Sequence, residues 1–277
     1  MGLARLALEG ELEKYLIGEK RRNMKQVICY ATKYAHVLQT GNASELLQLS
    51  DSNRRHAMEA LACLSKFIGA YDVWKEIMRR YQLKWNREDD SFEVFKSIMD
   101  DKHNYSSMIS WLRGVCSKLP SAHSNVLKYC TLTGLRSDEA CNSLTLLHKD
   151  SENYLNRKIM VLEHFRYKEI FIRRTKKAYI SIVTEPVLQL AEQSQDTSYK
   201  ALRSMVKRNG LDMHMKYCRK IFSTHLRTSG IEPEMIDLLQ GRIPKSVFGR
   251  HYWRPDFEKE KARISECIQK LHTEITP

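Results

Sequence analysis

The sequence predicts a mainly α protein with a small antiparallel β-sheet or hairpin, arranged as two unequal domains. Three observations carry that prediction. Apolar residues recur at spacings of three and four through most of the chain, the period of a helix with one buried face. Residues 157–183 break this pattern with β-branched and aromatic residues in partial alternation. A length of 277 residues exceeds the common size of a single domain. With 42% hydrophobic and 29% charged residues, the chain has the apolar material for a packed core and lacks the composition of a disordered one.

The first 86 residues read as helices only. "MKQVICYATKYAHVLQT" and "RRHAMEALACLSKFIGAYDVWKEIMRRYQLKW" are both periodic, "TGN" at 40–42 breaks the chain between them, and "SDSN" at 50–53 supplies a helix start. "NREDDS", residues 86–91, has no apolar member and is the expected linker, which places one helical domain at 1–86 and a second domain at 87–277. The second resumes helical spacing in "FEVFKSIMDDKHNYSSMISWLRGVCSKL". "RKIMVLEHF" and "KEIFIRRTKKAYISIV" then suggest two or three short antiparallel strands, with "RRTKK" at or near a turn between the last two. After Pro186, helices return through "VLQLAEQSQ", "YKALRSMVKRNG", "HMKYCRKIFSTHLRTSG" and "EPEMIDLLQG". The tail at 257–275 is amphipathic, with Ile264, Cys267, Ile268 and Leu271 on one side, suited either to its own domain or to a neighbouring protomer.

Charge narrows the partners. Lys plus Arg number 46 against 33 Asp plus Glu, a formal charge of +13, and such an excess favours a polyanion through counterion release. No run of 18 apolar residues exists, and "MGLARLALEGELEKYL" carries acids where a signal peptide is apolar, so membrane insertion and export are not expected. Nucleic acid becomes the leading partner and the interior of the cell the expected setting. Seven singly scattered cysteines without a C-x-x-C pair argue against a disulfide framework and a zinc site. "MGLARL" has Leu6 where a myristoylation signal wants Ser or Thr.

Four stretches carry candidate chemistry. "LTGLRSDEACNSLTLLHK", residues 132–149, opens with a Thr-Gly turn and then a helix start, with Arg136 in the first turn and Ser137, Asp138 and Glu139 suited to an N-terminus. An arginine there can aim its planar fork at a phosphate, or simply pair with Glu139. "KYCRKIFSTHLRTSG" sets Lys216 and Arg219 on one helical face, anchored by Ile221, Phe222 and Leu226. "RRTKK" adds Lys176 and Lys177. "GRIPKSVFGRHYWRP", residues 241–255, surrounds Tyr252 with arginines, a lysine and a histidine; a phenol attacks poorly until it loses its proton, so cations about it are chemically useful.

Taken in order over Thr131 to Pro255, these stretches resemble the tyrosine recombinases or integrases, and most closely their archaeal virus and plasmid branch. "TGLRSDEA" resembles the family's first arginine box, making Arg136 the first catalytic arginine and Glu139 its acidic companion. "RRTKKAYISI" resembles the hairpin that carries the catalytic lysine, with Lys176 chosen over Lys177. "KYCRKIFSTHLRTSGIEPEMIDLLQGR" resembles the second box, making Arg219 the second arginine and placing Lys216 and Arg242 where most members have histidine, or, for Arg242, tryptophan. "GRHYWRP" makes Tyr252 the nucleophile. His225 stands two residues from Arg227, whereas the family spaces its pair by three, and is read as structural.

The resemblance implies a helical core-binding domain and an α+β catalytic domain clamped around double-stranded DNA, a monomer or dimer without DNA and a homotetramer on two sites. It implies strand cleavage and rejoining through a 3′-phosphotyrosyl bond, for integration, excision or resolution of DNA, with no cofactor or metal. A type IB topoisomerase-like relaxing enzyme and a catalytically silent DNA-binding protein of the same fold are the alternatives.

Overall fold

Helical periodicity becomes helix wherever an apolar stripe finds a partner. The computed structural model describes residues 2–19, 21, 23–85, 91, 95–96, 99, 104–243 and 246–276, with the side chains of residues 2–9 and 250 outside that description. The chain divides into two units, residues 1–99 and 100–277. Of the expected linker, residues 86–90 lie outside the described residues.

The first unit holds α1 (Gly2–Gly18), α2 (Met24–Tyr34), α3 (His36–Thr40), α4 (Ser44–Leu47), α5 (Asp51–Phe67) and α6 (Tyr71–Arg80). Each of the two long periodic stretches is broken once. Ala35 parts α2 from α3, and the turn at Gly69, with φ +72°, parts α5 from α6. Gly41, at φ +68°, ends α3 in the left-handed region that suits glycine, as "TGN" indicates. Leu12 and Leu16 pack on Val27, Ala31 and Leu64, while Trp74 and Ile77 fill a second cluster with Tyr34, Val37 and Leu61.

The second unit has one continuous core. Its elements are α7 (Tyr105–Cys116), α8 (Ser121–Thr133), α9 (Ser137–Tyr154), β1 (Leu155–Asn156), β2 (Val161–Leu162), a 3₁₀ turn (His164–Arg166), α10 (Lys168–Phe171), β3 (Ser181–Ile182), α11 (Glu185–Glu192), α12 (Tyr199–Arg208), α13 (Lys216–Thr228), α14 (Pro233–Leu239), a π-helical turn (Phe248–Tyr252) and α15 (Phe257–Ile275). The three strands pair antiparallel in the order β1-β2-β3, with Leu155 opposite Leu162 and Val161 opposite Ile182. The architecture is therefore mainly helical with a small antiparallel sheet.

One local expectation changes, and one left open between two outcomes takes the first of them. "KEIF" is a helical turn and not a strand: Phe171 N donates to Tyr167 O, and the Phe171 ring is buried against Tyr154 and His164. Hairpin pairing there shrinks to a single bridge between Ile172 and Lys177, which leaves "RRTKK" as the turn. The apolar face of α15 is covered by its own unit, since Ile264, Cys267, Ile268, Leu271 and Ile275 all join the core. Arg113 Nε donates to Glu274 O at 3.0 Å and adds a polar tie. The tail face thus packs in its own domain rather than standing free for a neighbouring protomer. No helix among the described residues is long and apolar enough to cross a membrane.

Candidate active site

The site grows from two glycines. Gly134 ends α8 at φ +64°, and a Cβ there would lie 2.3 Å from the Phe222 ring, so α13 approaches this turn as closely as only glycine allows. Gly241 follows α14 at φ +73°, and its Cβ would lie 1.7 Å from the carbonyl oxygen of Lys177. The first contact brings α13 to the start of α9; the second brings the end of α14 to the hairpin. The arginines sit where these approaches meet.

Arg136 is the N-cap of α9 rather than a residue of its first turn. Its backbone N–H donates to Glu139 Oε2 at 3.1 Å, its Nη1 donates to Glu139 Oε1 at 2.9 Å, and Nη1 also reaches Lys177 O at 3.1 Å. Glu139 is 1% exposed, so the pairing with Glu139 that helix closure suggests is present, and it orients the guanidinium. Arg219 projects from α13. Its Nη1 donates to Gly134 O at 3.1 Å and its Nη2 to Gln240 O, while Gln240 Nε2 returns a bond to Arg219 O at 3.1 Å. Burial holds Arg219 down to about 10, and the guanidiniums of Arg136 and Arg242 push in the same direction. Arg219 is still protonated at neutral pH, and the mutual repulsion marks a place where an anion is wanted.

A cleft of about 1050 Å³ opens over these groups, and Arg136, Lys216, Arg219, Lys220, Arg227 and Arg242 all line it. Arg242 is more exposed and its Nη1 donates to Asp237 Oδ1 at 2.9 Å. Lys216 stands exposed at the first position of α13. Of the hairpin lysines, Lys176 is exposed and Lys177 half-buried. The Lys177 backbone touches both Arg136 and Gly241, but neither lysine is among the cleft-lining residues. Tyr252 is 71% exposed at the end of the π-helical turn and also lies outside the lining. The structure thus brings Arg136, Lys216, Arg219 and Arg242 together, with the hairpin attached through its main chain.

Several contributors escaped sequence reasoning. Gln240 is buried and braces Arg219 at both ends of its side chain and main chain. Arg173, in the basic turn, pairs with Glu139. Tyr199, His214 and Tyr217 form an aromatic part of the cleft wall, with Trp111 edge-on to Tyr217 at 5.3 Å. His225 Nε2 donates to Cys267 O at 3.0 Å and its Nδ1 lies 3.1 Å from Tyr105 Oη, so His225 ties α13 to α15 and α7. Lys245 lies outside the described residues.

No curated protein matches the chain. A family model described as archaeal phage integrase matches residues 117–259, more than half of the chain and the span that contains every residue of this cleft. The chain belongs to the archaeal phage integrase family, whose work is the integration or recombination of DNA.

Proposed function

We propose that the protein is a site-specific tyrosine recombinase acting on double-stranded DNA. Tyr252 Oη attacks a backbone phosphorus; the new O–P bond replaces the P–O5′ bond, giving a 3′-phosphotyrosyl enzyme and a 5′-hydroxyl strand. The phenol gives up one proton and the departing O5′ takes one. Lys176 supplies the latter as general acid, with Lys177 the alternative. Negative charge gathers on the nonbridging oxygens, where Arg136 and Arg219 offer paired donors and Arg242 another. Lys216 acts chiefly as a fixed positive charge, since a lysine must first lose its proton to serve as base. Reversal by a different 5′-hydroxyl rejoins strands in a new pairing without an external energy source.

The observation that carries this reading is that Arg136, Lys216, Arg219 and Arg242, from three separate segments, line one cleft, two of them braced by a buried carboxylate and by backbone carbonyls. Such bracing prepays the cost of ordering donors around a phosphate. Tyr252 is exposed and outside the cleft lining, and in this reading DNA binding brings it to the phosphate, in its own subunit or a neighbouring one. The first unit, with Arg21, Arg55 and Lys66 around one surface hollow, would hold the flanking duplex, and four protomers would assemble on two sites.

The test is a suicide duplex carrying the site recovered by denaturing pull-down of covalent adducts from DNA flanking the gene. Tyr252→Phe should abolish the adduct and leave duplex binding within about twofold. An unchanged adduct yield sinks the assignment. Strand transfer between two marked duplexes separates recombination from simple relaxation of supercoils.

A further inference from the structure

The hairpin contacts single out a residue beyond those assigned above. Arg173 opens the turn three residues before Lys176. Its Nη2 donates to Glu139 Oε1 at 2.9 Å, the same oxygen that accepts from Arg136 Nη1 at 2.9 Å. On the main chain, Arg173 N donates to Lys176 O at 3.0 Å, and Arg136 Nη1 donates to Lys177 O at 3.1 Å. These contacts close a ring from Arg173 through Glu139 and Arg136 to Lys177 and back along the turn. Glu139 is 1% exposed, and a carboxylate so placed holds its partners more stiffly than a surface ion pair does. Arg173 itself is not among the residues that line the cleft.

We propose that Arg173 is a positioning residue: through Glu139 it fixes the turn that bears Lys176 and Lys177 to Arg136. The lysine then meets the leaving oxygen of the same phosphate whose nonbridging oxygen Arg136 holds. The inference rests on the general-acid reading of the hairpin lysine. A tether of this kind acts only on protonation of the leaving group. Binding, which depends on the exposed cations, and the attack itself are untouched.

The experiment compares single-turnover cleavage of two duplexes, one with the natural bridging O5′ and one with sulfur there, a leaving group that departs without being protonated. Arg173→Ala should slow cleavage of the oxygen duplex about tenfold or more, return to within about threefold of the parent on the sulfur duplex, and leave duplex affinity unchanged; Arg173→Lys should recover part of the loss. Equal slowing on both duplexes, no slowing on either, or a loss of affinity overturns the tether. Thermal unfolding of each variant is measured alongside. If Arg173→Ala does not fold, the same comparison is made with Arg173→Lys, which keeps the charge but not the geometry of the fork. Lys176→Ala and Lys177→Ala run in parallel: if neither is rescued by sulfur, the general-acid reading fails and the tether with it. A rescued lysine variant beside an unrescued Arg173 variant overturns the tether alone.

Discussion

Arg219 is held by neutral acceptors alone and Arg136 by a charged one as well, and in the proposed reaction that difference decides what each offers a phosphate. The carbonyls of Gly134 and Gln240 orient Arg219 without offsetting its charge, whereas Glu139 orients Arg136 and partly offsets it. Glycine makes both arrangements possible. Gly241→Ala forces the Lys177 carbonyl away and should reduce cleavage at least tenfold while leaving the helical circular dichroism unchanged. Gly210→Ala is the control, because Gly210 has a similar φ of +68° but open space around it, and it should cost only about 1 kcal/mol of backbone strain with cleavage intact. Equal activity in the two variants would show that the Gly241 approach does not matter. In the sequence Gly134 was legible as a turn residue shortly before an arginine, and Gly241 only as the residue before Arg242. What they approach, an aromatic ring and a carbonyl from remote segments, was not. Arg173 was hidden for a related reason: a basic turn reads as solvated, and nothing local says that one of its members reaches a buried carboxylate.

At the scale of elements, the sheet region shows where periodicity stops being informative. "KEIFI" carries strand-forming residues, yet Tyr154 and His164 present a pocket that takes Phe171 from a helical turn, so tertiary packing overrides propensity. His164 ties this region together. Fully buried, it lies 2.6 Å from Tyr154 Oη and 2.8 Å from Ser181 Oγ, and Tyr154 Oη continues to Ser143, so one chain of hydrogen bonds links the 3₁₀ turn to β3 and α9. Burial pushes His164 from its ordinary 6.5 down to about 3. The unfolded chain therefore takes up a proton near pH 6.5 that the native chain refuses until about pH 3. Its contribution is complete above pH 6.5 and drains away as pH falls towards 3, by up to about 1.4 kcal/mol per pH unit. Urea unfolding between pH 7 and 5 should be less pH-dependent in His164→Gln than in the parent, by about 1 kcal/mol per pH unit on average because the unfolded imidazole is only partly protonated near pH 6.5; identical slopes would mean that His164 is not held neutral. The long helices were legible because their stripes are long. A histidine that gains its partners from three elements was not.

For the whole molecule, a formal charge of +13 named the partner class and the order of the boxes named the family, while neither said how the parts touch. The cleft collects Arg136, Lys216, Arg219 and Arg242 from segments spread over more than a hundred residues, and the amphipathic tail, open to two destinations in the sequence, closes the core of its own unit. The full chain is the right object for the decisive measurement, since the proposed reaction uses both the cleft and the exposed tyrosine outside its lining. The protein is trapped on its suicide duplex, digested with nuclease and protease, and the nucleotide-bearing peptide is identified by mass spectrometry. The nucleotide is expected on Tyr252, attached through a phosphodiester to a 3′ end. Attachment at any other residue, or through a 5′ phosphate, would contradict the proposed reaction.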